Sequence, residues 1–358
     1  MSVRVARECK GFGDLALGLR VFVEQLKCKS DSFNDVSKFR ACTRQGGRDR
    51  DVNPTSLNLL LINLVPCSVV PKCAETDKQA LLKLRDGFIH GRQILSSWKG
   101  KIHSSICELQ HLTFLDLSDN DLQGEIPKCI GSLGKLIELK LALNELVGSI
   151  PHTLANLSNL KKLDLQDNYL DANDHEWLSH LSNLRYLGLS NINLSRVVDW
   201  PSSISKIPSL LELYLDHCAL PQVNPKSFSH LNFSTSLHIL SLSENELNSS
   251  ILSWVLNVSK VLTSLDLSLN SLHTVSNVFA NMISLQFLNL KDNELDGRII
   301  KKFRTLCQLK QLILCNNKLS GQLHDYLPEI CSAQQNLESL NLSFNPFNSG
   351  PLHDFSRF

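Results

Sequence analysis

One eleven-residue pattern returns at a nearly constant spacing from residue 112 towards the end of the chain. Residues 112–122 read LTFLDLSDNDL, and LIELKLALNEL (136–146), LKKLDLQDNYL (160–170), LTSLDLSLNSL (262–272) and LQFLNLKDNEL (285–295) share its register. The copies start at Leu112, Leu136, Leu160, Leu184, Leu210, Leu237, Leu262, Leu285, Leu309 and Leu337, so the spacings are 24, 24, 24, 26, 27, 25, 23, 24 and 28 residues. Such a period indicates stacked units, none of which buries its apolar face alone.

The spacing L-x-x-L-x-L-x-x-N-x-L is the signature of a leucine-rich repeat. We therefore predict an α/β leucine-rich repeat solenoid, curved, with about ten repeats of mostly 24 residues and a parallel sheet on its concave face. Each inward leucine contributes roughly 1.5–3 kcal/mol relative to exposure. The longer spacings fall at 199–210 (DWPSSISKIPSL) and 219–237 (ALPQVNPKSFSHLNFSTSL), where we expect proline and serine to lengthen outer loops.

The asparagine of the pattern has its own structural task. The turn after each strand leaves inward backbone groups without partners, and an amide side chain offers both a donor and an acceptor. We predict a ladder formed by Asn120, Asn144, Asn168, Asn245, Asn270, Asn293, Asn317 and Asn345. Cys218 occupies this position in one repeat and Ile192 in another, and we expect a local irregularity at Ile192.

Strand residues that alternate with the core leucines should face the concave surface and are the candidates for ligand binding. The predicted ligand-binding residues are Phe114, Asp116, Lys140, Asp164, Tyr169, Tyr186, Tyr214, Asp216, His217 and Phe287, centred on residues 169–217. Acids outnumber lysines at these positions. One interpretation is a solvated consensus surface, and the other is a ligand groove in which aromatic side chains lie in an acidic field.

The first 98 residues carry no copy of the repeat. Residues 1–56 show no clear periodicity, and RACTRQGGRDRD (40–51) indicates disorder. Residues 57–72 form an apolar, signal-like segment, since 57–65 has the length of a signal-peptide core, although a buried strand is the alternative. No apolar run reaches the ~18–20 residues that a membrane-spanning helix needs.

Residues 73–98 (CAETDKQALLKLRDGFIHGRQILSSW) introduce a resemblance. This segment is similar to part of the amino-terminal cap of plant leucine-rich-repeat receptors, with a cysteine, an A-L-L helix and a final S-W. The half-motifs LQGEIP (122–127) and LVGSIP (146–151) match the plant extracellular repeat type. The long segments 197–225, 247–257 and 345–352 most resemble receptor-like proteins of the fungal-xylanase elicitor receptor group. We assign 99–358 to the repeats, ending mid-repeat.

The resemblance implies a function at the cell surface. It implies an extracellular ectodomain that binds a microbial elicitor or a peptide in defence or developmental signalling, and that works with a co-receptor kinase in the full-length family member. We expect this chain to be an amino-terminal fragment, truncated before its membrane anchor. A secreted inhibitor of a cell-wall-degrading enzyme such as polygalacturonase is the second hypothesis, and a cytosolic scaffold is the third.

Several other classes of function find no support in the sequence. HEWLSH (175–180) places its second histidine one residue too far for a zinc-protease helix, and no residues pair a nucleophile with a base. We therefore predict no enzyme, no metal and no cofactor. A net charge of +1 gives no global indication of nucleic acid binding.

Covalent modification offers further candidate sites. N-x-[ST] sequences predict glycosylation at Asn156, Asn193, Asn232, Asn248, Asn257 and Asn341. Cys107 and Cys129 fall in adjacent outer segments, where either a disulfide or two buried thiols would fit.

Overall fold

The structure is a computed structural model that describes residues 99–172, 176–225, 236–258, 261–273, 279, 282–303, 305–322 and 336–348. The described residues belong to one compact unit, Ser97–Phe358. The sequence predictions for residues 1–56, 57–72 and 73–98 therefore lie outside the described residues, as do those for Asn232 and His175.

The described residues form strands of two to five residues. In chain order these are β1 (Lys99–Lys101), β2 (Phe114–Asp116), β3 (Asp121–Gly124), β4 (Glu138–Lys140), β5 (Glu145–Ser149), β6 (Lys162–Asp164), β7 (Tyr169–Asp171), β8 (Tyr186–Gly188), β9 (Glu212–Tyr214), β10 (Ile239–Ser241), β11 (Ser264–Asp266), β12 (Phe287–Asn289), β13 (Gln311–Ile313), β14 (Gly321–Gln322), β15 (Ser339–Asn341) and β16 (Phe347–Asn348). Their shortness follows from the repeat, which leaves the chain only a few extended residues before each turn.

Ten of these strands form one parallel sheet in the order β15-β13-β12-β11-β10-β9-β8-β6-β4-β2. The central leucine of each strand pairs with the central leucine of the next, from Leu115 and Leu139 at one edge to Leu312 and Leu340 at the other. A second sheet joins β1, β3, β5 and β7, and a third joins β14 and β16. This arrangement confirms the leucine-rich repeat solenoid.

The core is a stack of aliphatic side chains. The strand leucines from Leu115 to Leu312 are buried, and further leucines from the turns extend the same layers. Burying each side chain is worth roughly 1.5–3 kcal/mol, and the neighbouring turn provides the contacts.

Helices occupy the other side of most turns. Among the described residues, the 3-10 helices are Ser104–Glu108, Lys128–Ser132, His152–Asn156, Glu176–His180 and Gly297–Phe303, and the α-helices are α1 (Trp200–Ser205) and α2 (Ile251–Val258). The prediction of a lengthened loop at 199–210 is wrong, because α1 occupies part of it. Trp200 of α1 and Trp254 of α2 are buried with their rings 4.8 Å apart, edge to face, so the two helices pack together.

Candidate ligand-binding face

The outward side of the ten-stranded sheet, hereafter the strand face, carries the first and third residue of each strand. The buried residue lies between them, as the strand pattern requires. Phe114, Asp116, Lys140, Asp164, Tyr186, Tyr214 and Phe287 lie in these strands, and Asp216 and His217 lie in the turn directly after β9.

Tyr169 is the exception among the predicted ligand-binding residues. It begins β7 in the second sheet, where its partner is Val147 of β5. Its side chain is 73% exposed. The prediction that Tyr169 faces the concave surface with Tyr186 and Tyr214 is therefore wrong, because the residue after the ladder asparagine has already left the larger sheet.

The remaining two tyrosines touch each other across adjacent strands. The rings of Tyr186 and Tyr214 are 5.4 Å apart at an interplanar angle of 41°. Gly188 of β8 pairs in register with Tyr214 and lies between Asp164 and Tyr214 along the sheet. A Cβ atom at Gly188 would lie 2.6 Å from Nε2 of Gln166, so the glycine leaves the space that this amide occupies.

Hydrogen bonds hold both tyrosines in place. Gln166 donates from Nε2 to the hydroxyl of Tyr186 (2.9 Å) and to Oδ1 of Asp164 (3.0 Å), and the Tyr186 hydroxyl donates to Oδ2 of Asp164 at 3.4 Å. The hydroxyl of Tyr214 donates to Oε2 of Glu212 at 3.2 Å. These bonds fix two half-buried aromatic side chains before any ligand arrives, which lowers the entropy cost of binding.

The tyrosine hydroxyls stay protonated well above neutral pH. Burial, followed by the nearby carboxylates, raises the pKa of Tyr214 to about 12 and raises the pKa of Tyr186 further still. The main carboxylates are Glu212 for Tyr214 and Asp164 for Tyr186. Both groups therefore act as hydrogen-bond donors at physiological pH.

Asp216 is engaged by the turns on either side of it. Its Oδ1 accepts hydrogen bonds from the Ser243 amide (2.9 Å) and from the hydroxyls of Ser241 and Ser243, and its Oδ2 accepts from the Ser190 hydroxyl at 3.0 Å. His217 is exposed, and its Nδ1 lies 3.0 Å from Oε1 of Glu244. Asp216 therefore stabilises three successive turns. His217, in contrast, is exposed to solvent.

The first two strands of the face form a charged group at its edge. Nζ of Lys140 lies 3.2 Å from Oδ2 of Asp116 and 3.6 Å from Oε2 of Glu138. Burial lowers the pKa of Lys140, but the two carboxylates outweigh it, and the net pKa is raised. Phe114 is 44% exposed beside this group, and Phe287 is half-buried in β12. Neither phenylalanine adjoins the tyrosine pair.

All the ladder asparagines except Asn120 bind more than one segment of the backbone. Nδ2 of Asn168 donates to the carbonyls of Leu141 (2.9 Å), Leu165 (3.0 Å) and Gln166 (3.1 Å), and its Oδ1 accepts from the Leu146 amide at 3.1 Å. Asn144, Asn245, Asn270, Asn293, Asn317 and Asn345 repeat this arrangement, and Asn120 binds the carbonyls of Leu117 and Ser118.

The two substituted ladder positions differ from the asparagine arrangement. Sγ of Cys218 lies 3.2 Å from the Leu189 carbonyl of the preceding turn, replacing the amide donor. The cysteine side chain has no oxygen to accept a hydrogen bond as the asparagine Oδ1 does. The backbone amide of Leu194 instead donates to the backbone carbonyl of Cys218 at 2.8 Å. Ile192 is fully buried.

The backbone before each ladder position is left-handed. Asp119, Leu143, Asp167, Asn191, His217, Glu244, Leu269, Asp292, Asn316 and Phe344 all have φ between 50° and 62°. Asparagine and aspartate accept this conformation more readily than leucine or phenylalanine. Leu143, Leu269 and Phe344 are exposed despite their apolar side chains.

The modification sites fall mostly away from the strand face. Cys107 and Cys129 form a disulfide with an S–S distance of 2.10 Å between outer segments. Asn156 ends a 3-10 helix, Asn257 lies in α2 and Asn193 follows Ile192, and all three are exposed. Asn248 is half-buried, whereas Asn341 is exposed on β15 of the strand face.

Gly188 and Gln166 are the site residues that sequence reasoning missed. Each of the nine other strands of the face carries a side chain at the third position, and β8 alone of these ten has glycine there. A glycine at an otherwise substituted strand position indicates a close approach. This signal is visible in the sequence when the repeats are compared position by position. The role of Gln166 could not be predicted from the sequence, because its two partners, Asp164 and Tyr186, belong to different turns of the solenoid.

The described ranges contain no group of three or more histidine, cysteine or acidic residues placed to hold a metal ion. Within the same ranges, no helix has both the length and the apolar character to cross a bilayer.

Comparisons with known proteins agree with the fold. A leucine-rich repeat model matches residues 110–170, 134–194 and 158–220, and a second matches 336–358. Receptor-like protein EIX2 of Solanum lycopersicum is 38% identical over 164 residues, which is 45% of this chain and 16% of that relative. Receptor-like protein EIX1 of the same species is 38% identical over 198 residues, 54% of this chain and 19% of the relative. The chain thus spans less than a fifth of either relative.

A solved structure extends the comparison. The ectodomain of the plant membrane receptor kinase GASSHO1/SCHENGEN3 from Arabidopsis thaliana, in complex with CASPARIAN STRIP INTEGRITY FACTOR 2, superposes with a TM-score of 0.54. It is 26% identical to this chain and matches 70% of this chain and 35% of its own length. The sequence resemblance to plant receptor-like proteins is confirmed.

Proposed function

We propose that this chain, which is similar to plant receptor-like proteins with leucine-rich repeats, is a ligand-recognition module displayed outside the cell. In this proposal its strand face binds a microbial elicitor or a peptide ligand in defence or developmental signalling. A full-length member would pass the signal on through a co-receptor kinase.

The anchored tyrosine pair is the observation that carries this proposal. Aromatic side chains with fixed positions and partial exposure are the usual energetic centres of protein interfaces. Tyr186 and Tyr214 meet that description, since each hydroxyl is bound and the two rings touch. An aromatic pair that served only the core would be covered by other side chains, and these two remain half-exposed on the sheet.

The binding of elicitors to the purified chain tests the proposal. We would measure a panel of secreted fungal and bacterial proteins and their peptides by surface plasmon resonance, on the wild-type chain and on Tyr186→Ala/Tyr214→Ala. A ligand that binds the wild type and loses at least about tenfold in affinity on the double variant is the expected result.

Tyr169→Ala is the matched control, because Tyr169 is exposed but lies in the second sheet. Equal affinities for the wild type and the double variant, or a loss confined to Tyr169→Ala, would contradict the strand face as the binding site. Thermal melts of both variants and of the wild type show whether each variant still folds.

A further inference from the structure

The tyrosine pair lies in a negatively charged part of the strand face. Glu212 accepts from the hydroxyl of Tyr214, and Asp164 accepts from that of Tyr186. Asp164 and Asp216 also contribute to the raised pKa of Tyr214, so their charges act on its hydroxyl. The site therefore favours a ligand group of positive charge.

One cation of the chain already shows how this surface holds a positive group. Nζ of Lys162 lies 3.8 Å from the centroid of the Tyr186 ring. Attraction between an ammonium and the face of an aromatic ring explains this position, and desolvation strengthens it. Lys162 is on β6 and Tyr186 on β8, so they are register partners in adjacent strands.

Tyr214 has similar surroundings without such a cation. Its register partner on β8 is Gly188, beside which the Gln166 amide lies, and its partner on β10 is Ser241. Among the described residues, no lysine or arginine lies over the Tyr214 ring as Lys162 lies over that of Tyr186. The second ring of the pair thus has a carboxylate at its hydroxyl and no cation at its face.

We propose that the ligand presents a lysine or arginine side chain to the ring of Tyr214, beside the carboxylate of Glu212. This inference rests on the proposed function, and it specifies the chemistry of the segment that the strand face recognises: a basic protein or peptide segment. Lys162 supplies the cation for the Tyr186 ring within the chain, and the ligand supplies the cation for the Tyr214 ring.

Peptide selection on the whole 358-residue chain tests the inference. A random twelve-residue display library is selected on the immobilised wild-type protein and, in parallel, on Tyr214→Leu. Selected peptides are then synthesised and their dissociation constants measured. We expect lysine and arginine to be enriched on the wild type relative to Tyr214→Leu.

Four variants show which side-chain groups bind the selected peptide. For a selected basic peptide, Tyr214→Leu and Glu212→Gln should each weaken affinity by about 3- to 30-fold. Tyr214→Phe keeps the ring and should stay within about twofold of the wild type, because the π face is retained. Glu145→Gln is the control, since Glu145 lies in β5 of the second sheet.

The possible outcomes distinguish a failure of this inference from a failure of the proposed ligand-binding function. Peptides without basic enrichment, or basic peptides that bind Tyr214→Leu as well as the wild type, would overturn the inference and leave ligand binding intact. A selection that yields no peptide for the wild-type chain would overturn both. Loss of affinity in Tyr214→Phe equal to that in Tyr214→Leu would show that the hydroxyl rather than the ring binds, and would also overturn the inference.

Discussion

At the scale of single residues, the buried ladder asparagines join the backbone of neighbouring turns. Asn168 is buried and binds carbonyl groups of two turns while accepting from a third segment. Leucine at this position would leave those buried groups without partners, and each lost partner carries a desolvation cost.

We expect Asn168→Leu to destabilise the chain by about 1–3 kcal/mol, read as a lower midpoint in thermal unfolding. Asn159→Leu is the control. Asn159 also donates to a carbonyl, that of Gly134 at 2.8 Å, but this bond is exposed. The control should change stability by less than about 0.5 kcal/mol. Equal midpoints for Asn168→Leu and the wild type would refute the ladder account.

Cys218 predicts a dependence of stability on pH. Burial raises the pKa of its thiol to about 12, above the usual value of 9.0. The folded chain therefore keeps the proton over a range in which the unfolded chain loses it. The contribution of Cys218 to stability is complete below about pH 9 and is lost between about pH 9 and pH 12.

We expect the wild type to lose about 1–2 kcal/mol more stability than Cys218→Asn between pH 8 and pH 10.5, measured by denaturant unfolding under reducing conditions. Asparagine is the ladder residue of most other turns and does not titrate. Cys307→Ser, which changes an exposed thiol, is the control and should follow the wild type. If the free energy of unfolding changed with pH in the same way in the wild type and in Cys218→Asn, the raised pKa of the Cys218 thiol would be contradicted.

At the scale of elements, neighbouring outer helices approach very closely at one glycine. Gly131 lies in the 3-10 helix Lys128–Ser132, and a Cβ atom there would come within 2.2 Å of the Thr153 carbonyl oxygen of the next helix. Thr153 also donates to the Lys128 carbonyl at 2.7 Å, which holds the two helices together. Because the conflicting atom is backbone, a methyl group would push the helices apart.

We expect Gly131→Ala to destabilise the chain by about 1–3 kcal/mol, again measured by the unfolding midpoint. Gly134→Ala is the control three residues later, where a Cβ atom would meet nothing within 4 Å. If both substitutions shift the midpoint equally, close packing at Gly131 is not the cause.

The sequence was informative about strands and less so about the outer segments. Repeat spacing placed the strands because each needs one inward leucine at a fixed distance from a polar turn. The helix α2 carries Ile251, Trp254 and Val255 on its buried side, and this helical spacing is visible in the sequence. The repeat period correctly predicted that Tyr186 and Tyr214 lie on the same sheet. It did not predict that Tyr169 lies on a different sheet, because the period does not show where the chain passes from one sheet to the other.

At the scale of the whole molecule, the stacking of turns separates two kinds of surface. The strand face carries the tyrosine pair, whereas Asn156, Asn193 and Asn257 are exposed elsewhere. Glycans on these three positions would leave the tyrosine pair uncovered. A cell-surface location requires passage through the compartment in which such glycans are added.

We expect each of Asn156→Gln and Asn257→Gln to remove one glycan mass from the chain expressed in plant cells, as seen by intact-mass spectrometry before and after enzymatic deglycosylation. Asn159→Gln is the control, because Asn159 has no serine or threonine two residues later. Unmodified asparagine at both sequons would count against the extracellular location.

Hydroxyl-radical footprinting with a bound peptide tests the strand face most directly, because tyrosine side chains report their own solvent exposure. Tyr169, Tyr186 and Tyr214 are compared in the free chain and in the complex with a selected peptide. Our account predicts that the oxidation of Tyr214 and Tyr186 falls on binding while that of Tyr169 is unchanged. Protection of Tyr169 with unchanged oxidation of Tyr186 and Tyr214 would contradict it.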